Sequence, residues 1–268
     1  MNNSDVSLPT LSSWRARSFQ KENVRSSAQQ HSILQTIALH LVPGIAGTIV
    51  YVLIAPVLMN NGYPAILSIL IAAAVIILPI ELGILFQRAR RDRGTHSILD
   101  VVDYRQPLSK WSYIVIPLGL VLWAFLASGM TQLLDGAIAK AWFAWLPEWF
   151  HIFDLRLFES YSRNALIVTF LVGLVVNGFA LPIVEELYFR GHLLPRIDRF
   201  GKWAPLINIC LFSLYHFWTP WQVISRIVLL LPWVYTVWHK RNILLIIITH
   251  CAANTLGWLL TWGLILRQ

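Results

Sequence analysis

Three short patterns in the last third of the chain gather residue types that can activate water. In VEELYFRGH, Glu186 and Arg190 stand four apart and share one face of a helix, while Glu185 sits ~100° around the axis from its neighbour. An arginine so placed can clamp one carboxylate and leave the other free to point into a bundle. FSLYH sets Phe212 four residues before His216, and HCAAN sets His250 four residues before Asn254. A desolvated carboxylate with imidazoles nearby can serve as general base on water. A second imidazole and a side-chain amide can donate to the oxyanion of an attacked carbonyl. Glu185, His216 and His250 could equally hold a divalent metal such as zinc, which would activate the water instead. Both routes end in amide hydrolysis.

Other polar residues invite plainer explanations. His40 falls early in an apolar segment and reads as a snorkelling or capped side chain. Glu81 reads as the partner of a nearby arginine, and Arg226 as a cation reaching a carboxylate or the interface. Asn177 and Asn208 accompany the set. Cys251 adjoins His250, but adjacent helical residues face different ways, so it is set aside as a nucleophile. With Cys210 it reads as a small side chain in an apolar segment rather than half of a bridge. HExxH and GxSxG patterns are absent, and no Ser–Lys pattern stands out.

The elements that must position these groups follow from composition. Of 268 residues, 57% are hydrophobic and 13% charged, with mean hydropathy +0.61. A soluble domain carries about 25% charged residues, so a water-facing surface cannot be built. Disorder and a secreted disulfide scaffold are excluded on the same ground, and no nucleic-acid partner is expected. The chain reads as an all-α, polytopic, integral membrane protein. Spans are expected over 36–59, 64–86, 111–134, 165–184, 203–218, 220–238 and 242–266, the fifth being short for a bilayer core of ~30 Å. Trp142, Trp145 and Trp149, mixed with charge and broken by Pro147, suggest an interfacial element of two short helices over 140–158. An eighth crossing there would have to bury Glu148 or Asp154. Residues 1–32 read as a flexible cytoplasmic tail, favoured over a transit peptide, and 33–268 as the transmembrane bundle.

Charge placement gives an orientation. Basic residues crowd alternate connections: Arg15, Arg17, Lys21 and Arg25; then Arg88 to Lys110; then Arg190, Arg196, Arg199 and Lys202; then Lys240 and Arg241. The opposite side holds Lys140, Arg156, Arg163 and Arg267. By the positive-inside rule the N-terminus is cytoplasmic and the C-terminus outside. The net charge of +8 is then mostly an orientation signal, with some attraction to anionic lipids.

Depth is consistent with a shared site. If the fourth helix leaves the membrane near Leu194, Glu185 lies ~14 Å in, and His250 lies ~12 Å past Asn242 by helical rise. His216 stands ~20 Å along a helix that can tilt. The three patterns in order, EExxxR, FxxxH and HxxxN over residues 165–266, resemble the CPBP family. These are the intramembrane peptidases related to type II CAAX prenyl endopeptidase and lysostaphin resistance protein A. The resemblance implies proteolysis of a membrane-embedded or lipidated peptide near the cytoplasmic face. It implies Glu185 as the base, assisted by His216, with His250 and Asn254 supporting the oxyanion. Glu186 and Arg190 would hold the geometry. It leaves open whether zinc is used, and it puts a bacterial member in the plasma membrane. Two other functions fit buried polar residues: a non-catalytic immunity or scaffold protein, and a proton-coupled transporter. The transporter should show paired broken helices in two related halves, whereas the polarity here is concentrated in the C-terminal part.

Overall fold

The computed structural model describes residues 29–266. Its helices are α1 (Ile33–Asn60), α2 (Ala65–Arg93), α3 (Ser112–Trp142), α4 (163–193), α5 (Ala204–Tyr215), α6 (Val223–Lys240) and α7 (Ile243–Ile265). The protein is an all-α polytopic membrane bundle. Among the described residues six helical stretches are long and apolar enough to cross a bilayer, one of them running through α4 and α5 together. The expected fifth span therefore needs correction. α5 has 12 residues, ~18 Å of rise, well short of the hydrocarbon core. The chain bends into it at Gly201 (φ 56, ψ −130), a conformation suited to glycine, and leaves it at His216.

No eighth crossing occurs among the described residues. Residues 143–162 hold only two short 3₁₀ turns, Glu148–Phe150 and Leu155–Phe158. They fit the expected pair of short elements, although α3 continues to Trp142 before they begin. Trp142 and Trp145 are exposed, while Phe150 packs against Tyr51 and Trp221. Most of the tail, residues 1–28, lies outside the described residues. Its last part is tied down: the His31 backbone N–H donates to the Arg196 carbonyl at 2.8 Å, and Ser32 caps α1 by accepting from the Gln35 N–H. Leu34, Leu122 and Leu133 project outward, as side chains facing hydrocarbon should.

Two prolines shape the helices that carry the carboxylates. Pro79 in α2 and Pro182 in α4 cannot donate to the turn before them. Each follows a five-residue π-helical turn, Ala73–Ile77 and Val176–Ala180. The wider turn absorbs the missing hydrogen bond and turns the helix beyond it relative to the helix before. In α4 a second wide stretch, Glu186–Leu193, begins at the acidic pair itself. The acidic pair thus sits where regular α-helix gives way to the wider turn.

The 94–111 connection then locks α4 to α7. The Asp103 N–H donates to the Gly191 carbonyl at 2.8 Å, and the Ile243 N–H donates to the Tyr104 carbonyl at 2.7 Å. His192 Nδ1 bonds the Val101 carbonyl at 3.0 Å, and Arg196 pairs with Asp103 at 3.4 Å. Close approach of helices does the rest. A Cβ at Gly44 would collide with the Tyr215 carbonyl oxygen, so only glycine lets α1 lie this near α5. Gly173 likewise leaves room for the Trp258 ring, bringing α7 against α4.

Candidate active site

Glu185, His216, His250 and Asn254 line one cavity of about 450 Å³ in the middle of the bundle. Glu186 and Arg190 stand behind it, both fully buried. The division follows from the helix angle between consecutive residues. Arg190 Nη1 approaches Glu186 Oε1 at 3.3 Å, and its guanidinium lies 3.8 Å above the Phe212 ring. None of the three Arg190 nitrogens makes an aligned hydrogen bond, so its charge is met by proximity and by the aromatic face.

His250 joins the two layers. Its Nδ1–H donates to Glu186 Oε1 at 2.7 Å, which turns Nε2 toward Glu185 Oε2 at 4.0 Å. That second distance is beyond a direct hydrogen bond. Glu185 Oε1 has no hydrogen-bond partner among the described residues. His216 caps the end of α5 (φ −81, ψ 59), and its Nδ1–H donates to the Phe212 carbonyl at 2.9 Å. Its Nε2 is thereby left as the acceptor, on a ring that packs 4.8 Å from Phe212 and from Trp218. Asn254 commits one amide N–H to the Asn177 carbonyl at 3.0 Å. The same amide nitrogen also approaches Asn177 Oδ1 at 3.5 Å.

All six residues singled out in the sequence therefore meet in one region, in two layers. Three plainer expectations need correction. Glu81 makes no arginine pair: it is fully buried and accepts from the Tyr215 hydroxyl at 3.1 Å, which also faces Glu185. Arg226 makes no ion pair among the described residues and lines the cavity on neutral partners. His40 is not near water: its Nδ1 bonds the Thr36 carbonyl at 2.7 Å, and Asn208 donates to its Nε2 at 3.0 Å. Tyr215 and the role of Phe212 under Arg190 are not legible in the sequence, because an aromatic in an apolar run carries no signal that distinguishes it from packing. Glu81 does carry one, as an acid inside a span.

Glu185, His216 and His250, which line the cavity, are the side chains that would hold a metal. Among the described residues no three His, Cys, Asp or Glu side chains are grouped to hold one. His250 Nδ1 is engaged by Glu186 and His216 Nδ1 by a backbone carbonyl, which leaves the Nε2 of each ring as its ligating atom, and His250 Nε2 stands 4.0 Å from Glu185 Oε2. Cys210 and Cys251 are free and partly exposed.

Residues 167–256 match the family model described as Type II CAAX prenyl endopeptidase Rce1-like. The matched segment runs from α4 into α7 and contains every residue of the two layers except Glu81. No curated protein and no solved structure matches the chain at a significant level.

Proposed function

We infer, from the match of residues 167–256 to an Rce1-like family model, a CPBP-type intramembrane endopeptidase that hydrolyses a peptide bond of a membrane-associated, lipidated substrate. The observation that carries this reading is the cavity itself. It brings an unpartnered carboxylate oxygen, a free imidazole nitrogen and a side-chain amide to one apolar chamber. Water held between Glu185 and His216 attacks the scissile carbonyl carbon while Glu185 takes its proton. The carbonyl oxygen becomes an oxyanion, met by an Asn254 N–H that exchanges its long contact with Asn177 Oδ1 for the substrate. His250 adds a donor when both of its nitrogens carry protons. The C–N bond then breaks, and the proton passes from Glu185 to the leaving amine. Glu186 and Arg190 hold His250 and take no part in bond making.

Leu70, Phe125 and Trp233 on the cavity wall suit an apolar peptide or a lipid chain. The basic connections support a cytoplasmic N-terminus, and the plasma membrane is the expected site in a bacterium. Proteoliposomes carrying wild type or Glu185→Gln, given prenylated and plain peptides, test the assignment. Loss of cleavage by roughly 10³-fold in the Gln variant is expected for a base with no substitute. Equal cleavage by both would remove Glu185 from the mechanism. Wild-type activity that disappears with a strong chelator would require a different arrangement of ligands.

A further inference from the structure

Resting on that function, we propose that Arg226 is a carboxylate-recognition residue, which anchors an anionic group of the substrate and sets which carbonyl faces Glu185. Arg226 lies in the first turn of α6 and lines the same cavity as Glu185, His216 and Asn254. Its guanidinium is held by neutral groups alone: Thr219 Oγ1 at 2.9 Å, Gln222 Oε1 at 3.1 Å and the Ser213 carbonyl at 3.4 Å. Among the described residues it makes no ion pair, although Glu185 and Asp135 act on it through space. Arg190, the other arginine of the region, has its carboxylate in Glu186.

A cation kept in a mostly apolar chamber with no carboxylate in direct contact is costly. Its place makes this worse, since the first turn of an 18-residue helix already carries positive partial charge. Both terms reverse sign when an anion enters. The planar guanidinium suits a carboxylate, which it can meet with paired hydrogen bonds. Leu70, Leu230 and Trp233 make much of the remaining wall apolar. The matching ligand is a mostly apolar peptide with one carboxylate, supplied by its C-terminus or by an Asp or Glu side chain. Three neutral contacts hold the guanidinium in place beforehand, so little ordering remains to be done on binding. Arg226 touches no reacting atom in this arrangement and acts by positioning.

Binding to full-length Glu185→Gln in nanodiscs separates this proposal from the cleavage chemistry. The probe is a dansylated, farnesylated peptide in three forms: free C-terminus, C-terminal amide, and amide carrying an Asp one residue earlier. With Arg226 present, amidation should weaken binding by about 10- to 100-fold, the usual loss of a charge-assisted hydrogen bond. In the double variant with Arg226→Gln that penalty should vanish. Arg226→Lys should retain part of it, which excludes simple misfolding of the Gln variant. If the Asp peptide regains the lost affinity, the carboxylate source is a side chain; if not, it is the terminus. An amidation penalty that is absent throughout, or equally large in the Arg226→Gln double variant, overturns the proposal. Carboxylate-dependent binding by a wild type that cleaves nothing would sink the peptidase reading while leaving this subsite standing.

Discussion

Glu185 and Glu186 are consecutive in the chain, yet one lines the cavity and the other is sealed behind it. The contrast extends to whole layers. The front layer of Glu185, His216, His250 and Asn254 keeps polar atoms turned toward open space. The back layer of Glu81, Tyr215, Glu186 and Arg190 is fully buried, with Tyr215 donating to Glu81 and Arg190 set against Glu186. Buried charges hold together only as a set, because removing one strands the others in low dielectric. Substitutions in the back should therefore fail first in stability, and those in the front in turnover.

The harshest test of the contrast is Arg190→Met. It removes the cation between Glu186 and the Phe212 ring and should destabilise the protein by about 3–5 kcal/mol, as breaking a buried pair does. Denaturant unfolding in mild detergent would measure it; a loss within error would mean the back layer is not a stability element. Asn254→Ala is the front-layer counterpart. Turnover should fall by about 10²–10³-fold, the scale of one lost oxyanion donor, with an unfolding midpoint close to wild type. A large drop in that midpoint would merge the two layers.

Gly44→Ala probes how the layers are held in register. The added methyl meets the Tyr215 carbonyl, so α5 must shift, and displacing His216 by ~1 Å should cost about 10²-fold in turnover. Unchanged kinetics would show that the site tolerates movement of α5. Tyr215→Phe is milder, since it leaves Glu81 without its donor and should cost about 1–3 kcal/mol of stability, read from the same unfolding curves.

The smallest effect lies outside both layers. Burial, with the Arg196 and Arg88 charges adding to it, lowers the His31 pKa to about 4 from 6.5. The unfolded chain therefore binds a proton that the folded one refuses between those values. Stability from this source is complete above pH 6.5 and is lost as pH falls toward 4. After discounting for partial exposure, acidification from about pH 7 to about pH 5 should cost about 1 kcal/mol, and His31→Asn should remove that slope. A slope that persists in the variant would assign it elsewhere.

Much of the site is legible in the residues alone. Four-residue spacing places Arg190 beside Glu186, and the angle between neighbours turns Glu185 away. The fifth span is misjudged from composition because apolar character reports solvent preference and not where a helix ends. Gly201 and the cap at His216 make that decision through backbone geometry. Glu81 and Arg226 are underrated for a related reason. Neither belongs to one of the three patterns, and an isolated ionisable residue does not name its partner.

The sequence by itself determined the membrane class, the helical elements and the intra-helix pairings, since hydropathy and a 3.6-residue period are local properties. Packing alone settles that Tyr215 bridges toward Glu81, that Arg226 shares the chamber with Glu185, and that His250 links Glu186 to the cavity. Those relations depend on helix rotation at the π-helical turns, on the close approach allowed at Gly44, and on the 94–111 connection that joins α4 to α7. Contacts between distant segments are fixed by packing, which no local pattern encodes.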